Sequence, residues 1–572
     1  MSIIQSFLGA FLSSLLLTLS IPNVFSHSGS FLLGLFSLVP LYYVLEKNRG
    51  KKPIVSGITT GLSVSLTHLM SSFWLAFFQG YAVFTLGLSA IAYFFFGWIL
   101  GYFLWTANKL PGWLRPWIFA SVWVSWEWFK SNGFLAYPWG TLIMSSRTSI
   151  PFIQIADLTG TWGISFVMAL TGSLIGENLI YWVKAKTVNS FPFFQEEKPS
   201  LLSLIRGAFH LPKREKTFPG AMPGPAARCL FSIGEEGIWV IKNTAFCLFL
   251  LLIIYSYGFY KIATLPEPED YINILFVQHN SDSWNDNFEK SLSTAMRLTR
   301  EGLKNREKPR LIAWNETVLA YPYEENYEYY QHFPYKDPFV PFLRENGIPL
   351  LVGAPYIIDM ENELFSNSAI LLSPEGEILQ HYGKMQLVPF AEYIPFIQYD
   401  WMKKFMNAVA GFSSGWTPSH EYRLFTGLTN SGKEILFSTP ICFEDAFPGV
   451  CTGLVKNGSR FFLNLTNDSW SKTESAEMQH FSIASFRAVE HRTVMARSTN
   501  GGYSCIINPL GEVIYDFPLF EEHSEILSVP VYPYTRTLYS YLGDYIVILA
   551  FFAFGSAFII YRKKIIYKNE AN

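Results

Sequence analysis

Charge is scarce in this chain and nearly balanced: 15% of its 572 residues are charged, with 43 Lys and Arg against 45 Asp and Glu. No basic excess is available for phosphates and no RNA- or DNA-binding signature occurs, which excludes nucleic acid as the partner. Cysteine is scarce too, with five residues, and no internal repeat stands out. The first apolar run has neither a basic n-region nor a small-residue cleavage site, so it is expected to stay as a span and not be removed as a signal peptide. Apolar residues, in contrast, are plentiful. Half the chain is hydrophobic, 17% is aromatic, and the mean hydropathy is +0.20. That balance describes a protein that is part membrane, part globular.

The apolar content lies in runs at about residues 3–20, 29–45, 56–78, 82–107, 116–130, 150–183, 238–260 and 544–561. Each is near the length that crosses a bilayer, so eight transmembrane helices are expected. Lys47, Arg49, Lys51 and Lys52 follow the second run, Lys109 and Arg115 the fourth, and Arg562, Lys563, Lys564 and Lys568 the last. The positive-inside rule makes those loops cytoplasmic and places residues 262–543 outside the cytoplasm. The expected organisation is six helices in 1–183, a cytoplasmic insert in 184–236, a seventh helix in 237–262, a globular domain in 268–532, an eighth helix in 543–562 and a cytoplasmic tail in 563–572. The insert carries Lys213, Arg214 and Lys216 and a Pro/Gly-rich stretch from Pro219, the composition of a flexible linker resting on anionic lipid.

Beyond residue 262 apolar strands alternate with amphipathic helical stretches, the pattern of a mixed α/β domain. Three of its strand ends carry reactive groups. Arg310-Leu-Ile-Ala-Trp-Asn-Glu316 ends in a carboxylate, His381-Tyr-Gly-Lys384 in an ammonium, and the run through Ile435 to Ile441 in Cys442. Glu316 could take the thiol proton, Lys384 could face the thiolate and then an oxyanion, and the N–H after Cys442 could complete an oxyanion hole. Asp445 is expected to cap the helix that follows, which would set Cys442 ahead of a helix N-terminus and favour a thiolate. Each residue alone has a plainer reading: a turn-capping Glu, a solvated Lys, a packed core Cys.

In these contexts Glu316, Lys384 and Cys442 resemble the Glu-Lys-Cys triad of the carbon-nitrogen hydrolase (nitrilase) superfamily. Leu387-Val-Pro-Phe-Ala-Glu-Tyr-Ile-Pro395, Ile441-Cys-Phe-Glu-Asp-Ala-Phe-Pro448 and Asn467-Asp-Ser-Trp470 with Gln479-His480 are similar to signatures of its membrane branch, the apolipoprotein N-acyltransferases. So are Trp126-Glu-Trp128, Tyr137-Pro-Trp139, Gln154 to Gly163 and Leu538 to Asp544. The resemblance implies an αββα sandwich on an eight-helix domain in a bacterial cytoplasmic (inner) membrane, with the catalytic domain on the periplasmic side. It implies acyl transfer from a phospholipid donor, through a Cys442 thioester, to the α-amino group of a diacylated lipoprotein acceptor, with no metal or organic cofactor. It further implies supporting roles for Glu392 and Glu444, and sets Trp284 and Tyr393 beside the site. Phe443 stands where the family often has tyrosine, Trp470-Ser-Lys-Thr-Glu474 departs from its usual continuation, and Trp314-Asn315 precede Glu316 where a proline or small residue is common.

The stretch Ile394 to Trp416 is too apolar for an exposed loop and is expected to be either a mobile lid that touches lipid or a cover on the domain core. Of the five cysteines, Cys442, Cys451 and Cys505 fall in the outer domain and cannot all pair, and a Cys451–Cys505 bridge is left open. Two other functions compete: a membrane-tethered nitrilase-type amidase, and a non-catalytic membrane scaffold. The multi-span part argues against the first and the intact triad against the second.

Overall fold

The computed structural model describes residues 1–78, 83–133, 135–187, 225–282, 285–410 and 415–570. Four of its helical segments are long and apolar enough to cross a membrane: Ile3–Ser20, Thr85–Ala107, Ala156–Val183 and Ile238–Ala263. A shorter apolar helix runs from Tyr545 to Tyr561. The remaining expected spans are helical but different in kind. The run at 29–45 is split into Phe31–Ser37 and Val39–Lys47, with Pro40 in the first turn of the second piece. Pro53–Ser71 is rich in Ser, Thr and Gly, and Arg115–Lys130 has 16 residues. Most of the insert, including its basic cluster and Pro219, lies outside the described residues.

Small residues explain how these helices approach. Gly57 and Gly61 on one helix face Gly97 and Gly101 on the next. A Cβ on Gly101 would lie 2.7 Å from the Gly57 Cα, and one on Gly97 would lie 3.0 Å from the Gly61 Cα. This close, small-xxx-small contact suits a lipid-embedded pair, where packing replaces the hydrophobic effect as the driving force. Large apolar side chains such as Phe95, Leu248, Phe249, Leu252, Phe551 and Phe552 point outward and stay exposed. A belt of that kind needs an apolar surrounding.

The globular domain is two sheets face to face. The first has six strands in the order β12-β1-β2-β3-β4-β5: β1 (Asp270–Gln278), β2 (Leu311–Ala313), β3 (Leu350–Asp359), β4 (Leu364–Leu372), β5 (Ile378–Gly383) and β12 (His523–Val531). The second runs β11-β10-β9-β8, from β8 (Phe461–Thr466) and β9 (Val494–Thr499) to the hairpin of β10 (Cys505–Ile507) and β11 (Val513–Asp516). The short pair β6 (Phe425–Leu428) and β7 (Glu434–Phe437) leads into it: Ser438 and Ile441 bridge to Phe462 and Leu465 of β8.

Period-2 alternation sets both faces of β1. Ile272, Ile274 and Phe276 join the core between the sheets, whereas Leu275 and Val277 face the outer helices Phe288–Leu303 and Phe339–Asn346. On the other side of the sandwich the outer layer is Pro448–Lys456 and Glu474–His491, and these complete αββα. The second of them is buried on all sides, since its outward face lies on the membrane helices. Gln479 donates to the carbonyls of Pro22 and Ser71, and Arg492, just past its end, pairs with Asp157 at 2.9 Å. The last helix is fastened by Asp544, which accepts from Trp128, Trp162 and Tyr539. The aromatic and acidic motifs singled out in the sequence thus meet where the two parts of the chain join.

Candidate active site

Lys384 follows directly on β5, and its backbone N–H still pairs with the Asn367 carbonyl of β4 at 2.8 Å. That ladder bond holds the fully buried ammonium between two carboxylates, 2.9 Å from Glu316 Oε1 and 2.8 Å from Glu392 Oε1. Glu316 stands at the turn after β2. Gly353 of β3 runs directly beneath it, where an added Cβ would lie 2.6 Å from the Glu316 Cα and 2.4 Å from the next amide nitrogen. Asn367 spans both acids, donating at 2.8 Å to Glu316 and 2.9 Å to Glu392. The Asn467 N–H donates to Glu316 Oε2 at 3.0 Å and the Val388 N–H to Glu392 Oε2 at 2.8 Å. Asn367 has no place in the sequence reading. Its only signal is a polar triplet, Ser366-Asn-Ser368, inside an otherwise apolar strand.

Cys442 opens a short 3-10 turn, Cys442–Ala446, and is buried with φ of +49°. A non-glycine residue in that region is held there by its surroundings. Asn464 on β8 clamps the turn by donating to the carbonyls of Pro440 at 2.9 Å and Cys442 at 3.2 Å. Glu444 joins the turn to the lysine segment, accepting from the N–H groups of Ile441, Met385 and Gln386 and from the Tyr382 hydroxyl. Burial pushes its carboxyl up to about 7, against the pull of those backbone donors. Phe443 stacks on Trp139 of the membrane part, with ring centres 5.4 Å apart. Tyr393 is half-buried and contributes its carbonyl, which accepts from Phe390 N–H. Trp284 lies outside the described residues.

Burial, with two acids set against one cation, decides the direction in which these groups shift. Burial raises the Cys442 thiol well above its ordinary value, the Glu316 charge raises it further, and Lys384 opposes both. Burial also raises Glu316, with Lys384 pulling it down and Glu392 pushing it up. Burial works against the Lys384 ammonium, yet Glu316 and Glu392 hold it well above the usual lysine value. The expected resting thiolate is therefore replaced by a thiol beside a base of raised pKa. A five-residue 3-10 turn has too little aligned dipole to outweigh desolvation and a neighbouring carboxylate.

Asp445 does not cap the next helix, whose N-cap is Phe447. It is buried and binds Arg497 and, at 2.8 Å, His480. His480 reaches Asp468 with its other ring nitrogen, also at 2.8 Å. Sequence reasoning quoted His480 and Asp468 within motifs without seeing that they meet, since they come from separate segments. Cys247, Cys442, Cys451 and Cys505 are all free, so no Cys451–Cys505 bridge forms. In the stretch after Ile394 the helix Asp400–Ala410 turns Met402 and Met406 inward onto Ile394 while Trp401 and Phe405 stay exposed. Among the described residues no group of His, Cys, Asp and Glu is arranged to hold a metal ion.

The αββα sandwich that carries these groups is of the carbon-nitrogen hydrolase class. Residues 276–532 match the model of the carbon-nitrogen hydrolase family, and residues 13–174 match that of the apolipoprotein N-acyltransferase N-terminal domain. Apolipoprotein N-acyltransferase 2 of Treponema denticola is 42% identical over 96% of this chain and 95% of its own length. Apolipoprotein N-acyltransferase 2 of Treponema pallidum is 38% identical over the same shares, and the Borreliella burgdorferi apolipoprotein N-acyltransferase 28% identical over 93% of this chain and 91% of its own. The chain belongs to the apolipoprotein N-acyltransferase family.

Proposed function

We propose that Cys442 takes a fatty acyl chain from a membrane phospholipid and passes it to the N-terminal amine of an S-diacylglyceryl-cysteine on a lipoprotein. The observation that carries this reading is the buried cluster of Lys384 with two carboxylates, which shares its charge field with a buried thiol in a domain seated on apolar helices. Water-soluble substrates would need no such platform.

In the first half-reaction the Cys442 sulfur attacks the ester carbonyl carbon while its proton passes to Glu316. Lys384 spends two of its three N–H bonds on Glu316 and Glu392 and has the third for the acyl oxygen as it becomes negative. The ester C–O bond then breaks, the leaving oxygen takes the proton from Glu316, and a lysophospholipid departs. In the second half the acceptor amine attacks the thioester carbonyl and gives a proton to Glu316. The C–S bond breaks, the leaving sulfur takes the proton back from Glu316 to restore the thiol, and an amide remains. Glu392 and Asn367 hold Glu316 and Lys384 in register. Glu444 holds the nucleophile turn against the lysine segment.

In this reading the helices of 1–183, 237–262 and 543–562 form an eight-span platform in a bacterial inner membrane, with the 268–532 domain on its periplasmic side. The Lys and Arg of the short loops support that orientation. Trp401, Phe405 and Phe396, exposed beside the Glu392 segment, serve as a lid face toward lipid.

Mass spectrometry of the purified protein in phospholipid, wild type beside Cys442→Ala, tests the proposal. The expected result is a hydroxylamine-labile fatty-acyl mass on the Cys442 peptide of wild type alone, discharged by a diacylated lipopeptide with a free amine. A folded wild type without the adduct would sink covalent transfer, and discharge to free fatty acid alone would favour hydrolysis.

A further inference from the structure

The helix Glu474–His491 carries two adjacent polar residues that face opposite parts of the molecule. Gln479 looks into the membrane helices. Its Nε2 donates to the Pro22 carbonyl at 2.8 Å and the Ser71 carbonyl at 3.0 Å, and its Oε1 accepts from Trp74 Nε1 at 3.2 Å. His480 looks into the sandwich, held between Asp445 of the nucleophile turn and Asp468 of the loop after β8, each at 2.8 Å. That loop also supplies the Asn467 N–H that fixes Glu316. Gln479 and His480 are both nearly inaccessible to solvent.

We propose that Gln479 and His480 are positioning residues that couple the membrane helices to the reacting groups, so that Cys442 and Glu316 reach reactive geometry only while Gln479 grips the Pro22 and Ser71 carbonyls. The chain of contact is continuous and short. Pro22 lies in the turn after the first membrane helix and Ser71 at the end of the Pro53–Ser71 helix, and one residue along the rigid helix His480 sets both the thiol turn and the loop that orients the base. Trp139 closes the same junction from the membrane side, with its ring 5.4 Å from Phe443 and 5.7 Å from His480. Arg497 and Glu477 are the other charged groups facing His480. Arg497 pairs with Asp445 and lies 3.7 Å from Asp468, while Glu477 shares the buried pocket with Asp468. A lost grip at Gln479 would let the helix shift, and misplacement of reacting atoms by about 1 Å costs on the order of 100-fold in rate.

This inference rests on the acyl-transfer reading for its biological meaning, yet its test does not need acyl transfer. The rate at which iodoacetamide alkylates Cys442 in the full-length protein in bilayer nanodiscs reports the thiol's setting directly. Gln479→Met keeps the length of the side chain and drops its hydrogen bonds, and Trp74→Phe keeps a ring and drops only the indole N–H. The expected result is alkylation slowed roughly 10- to 100-fold in Gln479→Met and His480→Gln and by a smaller factor in Trp74→Phe. Formation of the acyl-thioester should slow in parallel, with the KM for phospholipid unchanged. Rates per folded molecule equal to wild type in Gln479→Met would overturn the coupling, as would a loss confined to KM. If Gln479→Met does not fold, a wild-type alkylation rate in Trp74→Phe overturns it instead. A wild type that is alkylated but never acylated would count against the transferase reading and leave the alkylation comparison to decide the coupling.

Discussion

Two helices occupy matching layers on opposite sides of the sandwich and handle charge in opposite ways. Phe288–Leu303 buries Leu292, Ala295, Met296 and Leu298 against the first sheet and shows its ionic face to water. There Arg300 pairs with Asp337 and Glu345, and Arg297 with Glu301 and Glu522, all with half-exposed or exposed side chains. Glu474–His491 is exposed only at its first residue, and 16 of its 18 residues are buried. Among its buried charged groups, His480 pairs with Asp445 and Asp468, and Arg487 with Glu490 at 2.9 Å. An exposed pair is interchangeable, but a buried one is costly to break and so fixes the parts it joins. The helix against the membrane part is built as a connector, the water-facing one as a cover.

Removing a buried partner should have the largest effect. Arg497→Ala leaves Asp445 and Asp468 without their shared guanidinium, and a loss of about 3–5 kcal/mol is expected in thermal unfolding of the detergent-solubilised protein. A loss below about 1 kcal/mol would mean that the inner network behaves like the outer one. His480 sharpens the contrast through pH. Burial opposes its charge, but Asp468 and Asp445 raise it to about 10, against 6.5 for a free histidine. A raised histidine contributes stability that is complete below pH 6.5 and lost as pH rises through 10. The stability gap between wild type and His480→Gln should therefore be constant in acid and shrink between those values. Melting curves at stepped pH check the sign, and a gap that widens toward pH 10 would contradict it.

A smaller effect belongs to the active cluster, where Glu392 raises Glu316. In Glu392→Gln that repulsion is gone, Glu316 ionises more easily, and the acid limb of the kcat/KM profile should move to lower pH. An unmoved limb would assign it to another group. The smallest effect is expected on the outer face. Arg300→Ala should cost less than about 1 kcal/mol, after discounting for solvent screening, and the difference should vanish in 1 M salt.

Much of the fold was legible because its codes are local. The long helices announce themselves by apolar length, β1 by its dense apolar run, and the Phe288–Leu303 helix by its period. Glu316, Lys384 and Cys442 could be picked out because each stands just beyond a strand, in a motif of its own. Less legible were β9 and β12: Val494–Thr499 mixes Arg, Ser and Thr into a strand that is fully buried because both its faces are covered, and the fifth and second apolar runs proved short or broken by their own prolines and small residues.

By itself, then, the sequence determined the family and singled out Glu316, Lys384 and Cys442 as candidates, since each follows from patterns within a few tens of residues. Only the tertiary structure decided that Asn367 bridges the two acids, that Phe443 rests on Trp139, and that Asp445 turns away from the next helix to meet His480 and Arg497. It also decided that the Cys442 thiol is raised well above its ordinary value, because burial strips the water from it and the charges of Glu316 and Lys384, brought in from other segments, count only in that dry setting.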